Sequence, residues 1–313
     1  MRYRRLGSSD LVVSELGLGS WLTLGRGIPR DTALALVDRA LGLGITLFDT
    51  APVYDAGAAE TLLGDALAGR PRDSYVLATK LSAAMGRPAR KHVAEQLEGS
   101  LRRLQADYVD LYQCHRFDPE TPLEETLTAL DELVREGKVR TLGFSEWTPE
   151  QIRASFAVPG VERFVASQPE YSILFRGPEH GVIEACREHG ISQLVWSPLA
   201  QGVLTGKYRA GERPARGTRA DSSRMGLFVG RWLREEVLVA VDRLRPIAAG
   251  LGVTLAQLAL AWVLREPNVA AALVGATRPE QLDENAAASG LDLDDATLAA
   301  IDEAVADVVS SAR

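Results

Sequence analysis

Short apolar runs alternate along this chain with longer stretches whose apolar positions recur at helical spacing. Runs at 16–19, 45–48, 75–79, 108–114, 140–145, 163–168, 192–197 and 271–275 read as strands. Between them lie helical patterns such as Asp31–Leu43, Ala58–Ala68, Arg90–Leu104 and Leu123–Glu136. In the first, Leu34, Val37, Ala40 and Leu41 share a face opposite Asp38 and Arg39, and Gly42 and Gly44 then release the chain into the next strand. Regular strand–helix alternation predicts an α/β fold with a parallel sheet, and eight such units predict closure into a (β/α)8 TIM barrel, one domain over residues 1–313. The structural rival is an open doubly wound sheet. A dinucleotide-binding sheet of that kind carries a Gly-x-Gly-x-x-Gly turn after its first strand, whereas Gly17-Leu18-Gly19 continues as Ser20-Trp21-Leu22.

Two departures from the repeat stand out. Gly7-Ser8-Ser9-Asp10 is turn-like between two short β-prone runs, which predicts an N-terminal β-hairpin over the barrel floor. Between the seventh and eighth strands, residues 206–233 are rich in Gly, Arg and Pro and read as a long loop, of the kind that is often functional in a compact domain. Extra helices near the C-terminus follow at Glu235–Ala249 and Thr254–Arg265, with Pro246 expected to break or kink the first. The tail Asp294–Val308 is one more amphipathic helix.

Composition narrows the class. The 313 residues are 46% hydrophobic and 25% charged, with 35 Lys and Arg against 42 Asp and Glu for a net charge of -7. That balance argues against general binding to nucleic acid or to an anionic membrane. Cys114 and Cys186 provide neither a disulfide framework nor a metal-ligand cluster, and Cys114 reads as a small buried hydrophobe. The N-terminal Met1–Gly7 lacks the apolar core of a signal peptide, and no stretch approaches the roughly 18 consecutive apolar residues of a membrane span. A cytoplasmic location is the expectation, and the sequence leaves self-association into a homo-oligomer open.

The chemistry concentrates at strand ends. Asp49, Lys80 and His115 each terminate an apolar run, and Tyr54 follows on the loop leaving the first of these. In a barrel the rim at the strand C-termini is where catalysis sits. A tyrosine hydroxyl titrates near ~10. An ammonium beside it would lower that value, and a carboxylate would keep the lysine charged and oriented. A histidine can hydrogen-bond a substrate carbonyl. Together the four would protonate a carbonyl oxygen as a hydride arrives from a cofactor. Each taken alone has a plain structural explanation, as a cap, a surfaced lysine or a core histidine; their joint spacing is the signal. Rival motifs fail: Tyr208 follows Gly206-Lys207 where a phosphate-binding loop needs Ser or Thr, and Trp147 replaces the second glycine of a nucleophile elbow at Ser145.

These residues resemble the aldo-keto reductases over nearly the whole chain. The marks are Gly17-Leu18-Gly19-Ser20-Trp21, Phe48-Asp49-Thr50-Ala51-Pro52-Val53-Tyr54, Ala78-Thr79-Lys80, Gln113-Cys114-His115-Arg116, Gly143-Phe144-Ser145 and Trp196-Ser197-Pro198-Leu199-Ala200-Gln201-Gly202. Gly275-Ala276-Thr277-Arg278 follows, with Gln281, Glu284 and Asn285. The segment from Ser197-Pro198-Leu199 into Leu204-Thr205-Gly206-Lys207-Tyr208 is most similar to the branch that includes the potassium-channel β-subunits.

The resemblance implies an NADPH/NADP+-dependent oxidoreductase that reduces small-molecule aldehydes or ketones, with Asp49, Tyr54, Lys80 and His115 catalytic and Tyr54 as general acid. It implies a cofactor laid across the rim. Ser20, Trp21 and Asp49 lie near it, Trp196 stacks on the nicotinamide, Ser145 and Gln168 hold the carboxamide, and Ser197, Pro198, Leu199, Ala200, Gln201 and Gly202 line the pyrophosphate. Lys207 reaches a phosphate, Gly275, Thr277, Arg278, Gln281, Glu284 and Asn285 take the adenosine end, and Arg219 of the long loop closes over that end. An arginine at 278 favours NADP over NAD, and free backbone N–H groups at the helix start there suit a phosphate. For Thr277 a bare capping role at that helix start is equally natural, and both roles can hold at once. Trp21, Tyr54, His115 and Trp147 are the expected substrate walls. Two alternatives accompany this reading: an NADP(H)-sensing regulatory subunit with little turnover, against which His115 speaks because channel subunits differ there, and a physiological alcohol or sugar dehydrogenase. Glu146 departs from the asparagine or arginine that relatives place after this serine. It is expected either to contact the carboxamide NH₂ or to face the mouth, disfavouring anionic carbonyls, with a solvated surface carboxylate of no role as the plain alternative.

Overall fold

A computed structural model of the chain describes residues 1–25, 27–82, 90–221 and 226–311. Strands β1 (Tyr3–Arg5) and β2 (Val12–Ser14) pair as an antiparallel hairpin. Among the described residues eight parallel strands then close into a barrel: β3 (Leu16–Gly19), β4 (Leu47–Asp49), β5 (Val76–Leu81), β6 (Val109–Cys114), β7 (Val139–Phe144), β8 (Phe164–Ser167), β9 (Ser192–Trp196) and β10 (Val269–Val274), which returns to β3. The predicted fold class holds, hairpin included. The second barrel strand begins two residues later than the apolar run at 45 suggests, because Gly44 (φ 79°) and the Ile45 N–H, bonded to Ala40 O, still belong to the end of the preceding helix.

The helices form the outer layer. Helix α1 (Arg30–Gly42) buries Ala33, Leu36, Val37 and Ala40, so the apolar stripe is rotated from the predicted one and Leu34 and Leu41 flank it. Helices α2 (Ala58–Leu67), α3 (Arg90–Leu104), α4 (Leu123–Arg135), α5 (Pro149–Ala157) and α6 (Val182–Glu188) follow the next strands. The long connection after β9 is less irregular than its composition suggests. It carries 3-10 turns at Arg219–Asp221 and Gly230–Trp232 and a short helix α7 (Gly226–Val229); Ser222–Met225 lie outside the described residues. Pro246 acts as expected: the chain breaks at Leu244 between α8 (Glu235–Arg243) and α9 (Arg245–Gly250), and the proline sits in the first turn of α9, where its missing N–H costs nothing. Helix α10 (Leu255–Leu264) starts on a capping box formed by Thr254 and Gln257. The last helices are α11 (Pro279–Ala286) and α12 (Asp295–Val305).

Inside the barrel, Leu47, Val76, Ala78, Leu111, Ala166, Leu194, Ala271 and Leu273 pack into one cluster that also holds Leu6, Leu11 and Val13 of the hairpin. The hairpin therefore plugs the floor. Gly7 closes against the barrel wall so tightly that an added Cβ would lie 2.3 Å from Val165 O. Because strand residues alternate in and out, the layer above this apolar plug is set by register. Ala78 pairs with Leu111, and two residues further along Lys80 pairs with Gln113, while Asp49 ends β4 opposite Ala78. A polar layer thus sits directly on an apolar one. Glycine at 143 makes room for it, since a Cβ there would come within 3.1 Å of Gln113 Cγ.

Elsewhere, a fully buried carboxylate anchors α2 to the barrel and to α3. Glu60 accepts from Thr79 Oγ1 at 2.6 Å and pairs with Arg103 at 2.7 Å. Removing one partner of a buried pair strands the other, so Glu60→Ala should cost about 3 kcal/mol of unfolding free energy, read by urea denaturation. A loss below about 1 kcal/mol would mean that Arg103 finds water instead.

Candidate active site

Backbone bonds hold the expected rim residues in place even where the strands formally end. Ser20 N–H donates to Asp49 O, Thr50 N–H to Ala78 O, His115 N–H to Leu81 O, Ser145 N–H to Cys114 O and Gln168 N–H to Phe144 O, all at 2.7–2.9 Å. The strand ladder therefore carries side chains from β3 to β8 to one mouth.

At its centre Lys80 Nζ, with no side-chain exposure, donates to Asp49 Oδ1 at 2.6 Å and to Thr50 O at 2.9 Å. The other Asp49 oxygen accepts from Gln113 Nε2 at 3.1 Å and Gln168 Nε2 at 2.8 Å, and Gln168 Nε2 also reaches Gln113 Oε1 at 3.2 Å. Tyr54 lies over this pair, with Lys80 Nζ 5.0 Å from its ring centroid, and His115 meets the Tyr54 ring edge-on at 5.8 Å. The four residues singled out by spacing are thus brought together.

The electrostatics are partly as expected. Burial alone would lower the Lys80 pKa, but the Asp49 carboxylate and Tyr54 outweigh it and raise it, so the ammonium persists. For Tyr54 the expected direction reverses. Burial raises the phenol more than the neighbouring Lys80 charge lowers it, and the hydroxyl keeps its proton at neutral pH. That is the state required of an acid. Burial and the charges of Lys80 and Arg116 push His115 down to about 3, so its imidazole is neutral under ordinary conditions.

Four expectations about the surroundings need correction. Trp147 is not a wall of the mouth. It is 3% exposed and stacks on Phe144 at 4.9 Å, edge-on to Phe117 and Phe164, within the aromatic core. Gln168 Nε2 is engaged by Asp49 and Gln113, which leaves its side-chain oxygen and not its NH₂ for a carboxamide, while Ser145 Oγ donates to Gln168 O at 2.7 Å and accepts from Arg116 at 3.2 Å. Thr277 does not cap α11. Arg278 is the N-cap residue, and Gln281 Oε1 takes the N–H groups of both Thr277 (2.7 Å) and Arg278 (3.3 Å), so those donors are already engaged. Glu146 makes a contact that neither expectation included: one carboxylate oxygen accepts from Trp196 Nε1 at 2.8 Å and from Glu170 N–H at 2.6 Å.

Sequence reasoning missed Gln113, Glu146 as a tether, and Phe228, whose ring lies 4.9 Å from that of Trp21, itself 6.2 Å from Trp196. Gln113 had a legible signal, a polar residue two positions before His115 in a strand whose alternation points both inward. Phe228 had none, because the contact depends on how the long connection folds back.

Beside β9 the chain winds through left-handed backbone at Ser197, Ala200, Gln201 and Gly202, with Ser197 Oγ accepting from Gln201 N–H and Nε2. Lys207 packs against Gly202, where a Cβ would come within 2.8 Å of its Nζ. Desolvation, then the charges of Arg219 and Arg278, lower the Lys207 pKa, so the three cations share one neighbourhood. Arg219 hydrogen-bonds Gln201 Oε1, and burial lowers its own pKa. Among the described residues no carboxylate pairs with any of the three. Ser20 Oγ is buried without a hydrogen-bond partner at the same rim, and Gly275 is exposed. An orphan hydroxyl, three unneutralised cations and a left-handed backbone run fit a multiply phosphorylated cofactor. Glu284 is exposed and Asn285 buried on α11, bordering the cationic end.

Known proteins match the chain over most of its length. A model of the aldo/keto reductase family matches residues 15–306. Proteins from Oryza sativa subsp. japonica and Arabidopsis thaliana, each named as a probable voltage-gated potassium channel subunit beta, are 40% and 39% identical over 91% of this chain and 90% of their own length. Among solved structures, a thermostable aldo-keto reductase in complex with the inhibitor epalrestat is 30% identical with a TM-score of 0.80, over 97% of this chain and 100% of that one. The glycerol dehydrogenase of Gluconobacter oxydans is 29% identical with a TM-score of 0.85, over 99% of this chain and 97% of that one.

The His115 geometry makes a pH prediction. A folded pKa below the unfolded value of about 6.5 means the unfolded chain binds the extra proton first. Stability from a neutral His115 is complete above about pH 6.5 and is lost as pH falls from there toward 3. Nitrogen-15 spectra of the imidazole should show the neutral form throughout pH 5–8; a midpoint near 6.5 would contradict the buried, cation-flanked setting.

Proposed function

The chain belongs to the aldo/keto reductase family, and from that premise we propose that it is an NADPH-dependent oxidoreductase converting aldehydes or ketones to alcohols. The observation that carries this is the fully buried Lys80–Asp49 pair beneath a protonated Tyr54, with a neutral His115 beside it.

When bound, the cofactor supplies a hydride from its nicotinamide. Everything else falls to the chain. Tyr54 holds a proton on its hydroxyl, and the Lys80 ammonium stabilises the phenolate left when that proton moves to the carbonyl oxygen. Asp49, braced by Gln113 and Gln168, keeps Lys80 ionised and in place. Neutral His115 orients the carbonyl by a hydrogen bond. Trp196 offers a stacking face, Ser145 a hydroxyl, and the Ser197–Gly202 turn backbone groups for the pyrophosphate. Lys207, Arg219 and Arg278 would hold phosphate charge, and the third of these supports preference for the 2′-phosphorylated cofactor. The relatives named as channel subunits support a second reading, a cofactor sensor that scarcely turns over. A panel of carbonyl compounds followed by NADPH absorbance separates the two.

Tyr54→Phe should reduce turnover by roughly 10²–10⁴ while NADPH affinity stays nearly constant, since general acid catalysis is worth about that much. Retention of more than a tenth of the rate would remove Tyr54 from the acid's role.

Arg278→Ala should weaken NADPH binding by roughly tenfold to a hundredfold and NADH binding much less, because only the former carries the 2′-phosphate. Equal weakening of both, measured by fluorescence titration, would place the phosphate elsewhere.

A further inference from the structure

Glu146 lies just past the end of β7 in left-handed backbone (φ 63°), a conformation that costs free energy for any residue with a Cβ. Its carboxylate oxygen accepts two hydrogen bonds there, from the indole Nε1 of Trp196 and from the backbone N–H of Glu170. Both donors are neutral, and both lie on the side of the mouth where the aromatic rings gather.

These contacts close a circuit. Trp196 meets Trp21 edge-on, and Trp21 meets Phe228 of α7. Three residues beyond Phe228, Arg231 forms an ion pair with the buried carboxylate of Glu170 and lies over the Trp232 ring, while Glu170 N–H returns to Glu146. The long connection, the aromatic wall and the rim of β7–β9 are thereby tied at one carboxylate.

We infer that Glu146 is a positioning residue that fixes the plane of Trp196 and makes its face more attractive to the oxidised nicotinamide than to the reduced one. The inference rests on the proposal that Trp196 stacks on the nicotinamide. A carboxylate accepting from an indole N–H pushes electron density onto the ring, and a ring face attracts a cation more than a neutral group. The oxidised nicotinamide carries a positive charge and the reduced one does not. Negative charge at Glu146 therefore acts on one redox form and is nearly silent toward the other. A glutamine keeps an acceptor oxygen for both donors but removes that charge. An alanine removes the tether as well.

The test is equilibrium binding of NADP+ and NADPH, each titrated separately by calorimetry, to the wild type, Glu146→Gln and Glu146→Ala, with far-ultraviolet circular dichroism reporting the coupling between the Trp21 and Trp196 rings in the cofactor-free proteins. In Glu146→Gln the coupling signal should persist, NADP+ affinity should fall by about three- to tenfold, and NADPH affinity should stay within about twofold. In Glu146→Ala the coupling signal should shrink and both affinities should fall. An unchanged ratio of the two affinities in Glu146→Gln overturns the inference, as does an unaltered tryptophan signal in Glu146→Ala. A wild type that binds neither form would instead overturn the cofactor reading itself, so the two failures are distinguishable.

Discussion

The ion pair between Lys80 and Asp49 is the constraint around which the mouth of the barrel is built. Both groups are taken out of water, which costs several kcal/mol per ion unless geometry and further hydrogen bonds compensate. Here compensation comes from four directions. Thr50 supplies a carbonyl to the ammonium, Gln113 and Gln168 supply N–H groups to the carboxylate, and Tyr54 covers the pair. Each donor stands on a different strand or loop, so the pair is satisfied only when β4, β5, β6 and β8 are in register. A one-residue slip in any of them would turn a polar side chain out of the barrel and leave the pair short of a partner. The arrangement that tunes Tyr54 therefore also proofreads the closure of the sheet.

A second theme is where the backbone is strained. Leu22, Asp55, Ala56, Glu146, Ser197, Ala200 and Gln201 hold left-handed conformations without being glycine, and all lie on loops leaving the C-terminal ends of barrel strands. Gln105, on the opposite end after α3, is the other such residue described. Strain of this kind persists only where surrounding contacts over-determine it, and it gathers at functional sites. At Glu146 the compensating contacts are visible, two hydrogen bonds to one carboxylate oxygen. At Gln201 the Ser197 hydroxyl plays that part.

Much of this was legible in the sequence, for physical reasons. Strand ends are readable because an apolar run followed by Asp, Lys or His marks the point where a buried strand reaches a polar rim, as at Asp49, Lys80 and His115. Period-2 alternation also encodes Gln113, although its role emerges only once Asp49 is seen to need more donors. What lay beyond reach depends on long-range placement. Trp147 looks like a mouth residue by position, yet its ring finds Phe144, Phe117 and Phe164. The phenol of Tyr54 looks acidified by its lysine until burial is weighed against that charge. Glu146 reads as a surface anomaly because nothing local announces that an indole from β9 will reach it.

The floor of the barrel carries a consequence of another kind. Residues of the hairpin dock on elements made long after them: Gly7 N–H bonds Ser192 Oγ of β9, and Arg4 reaches the carbonyls of Leu264 at the end of α10 and Val269 of β10. At synthesis rates of ~5–20 residues per second, those partners arrive roughly tens of seconds after the hairpin has left the ribosome. During that interval Leu6, Leu11 and Val13 have no barrel to fill, and the hairpin itself, with its two short strands Tyr3–Arg5 and Val12–Ser14, offers them little cover. The closing strand β10 thus completes two structures at once, the ring and its plug, so a nascent chain lacking its last fifty residues would keep an open cylinder with its stopper unseated.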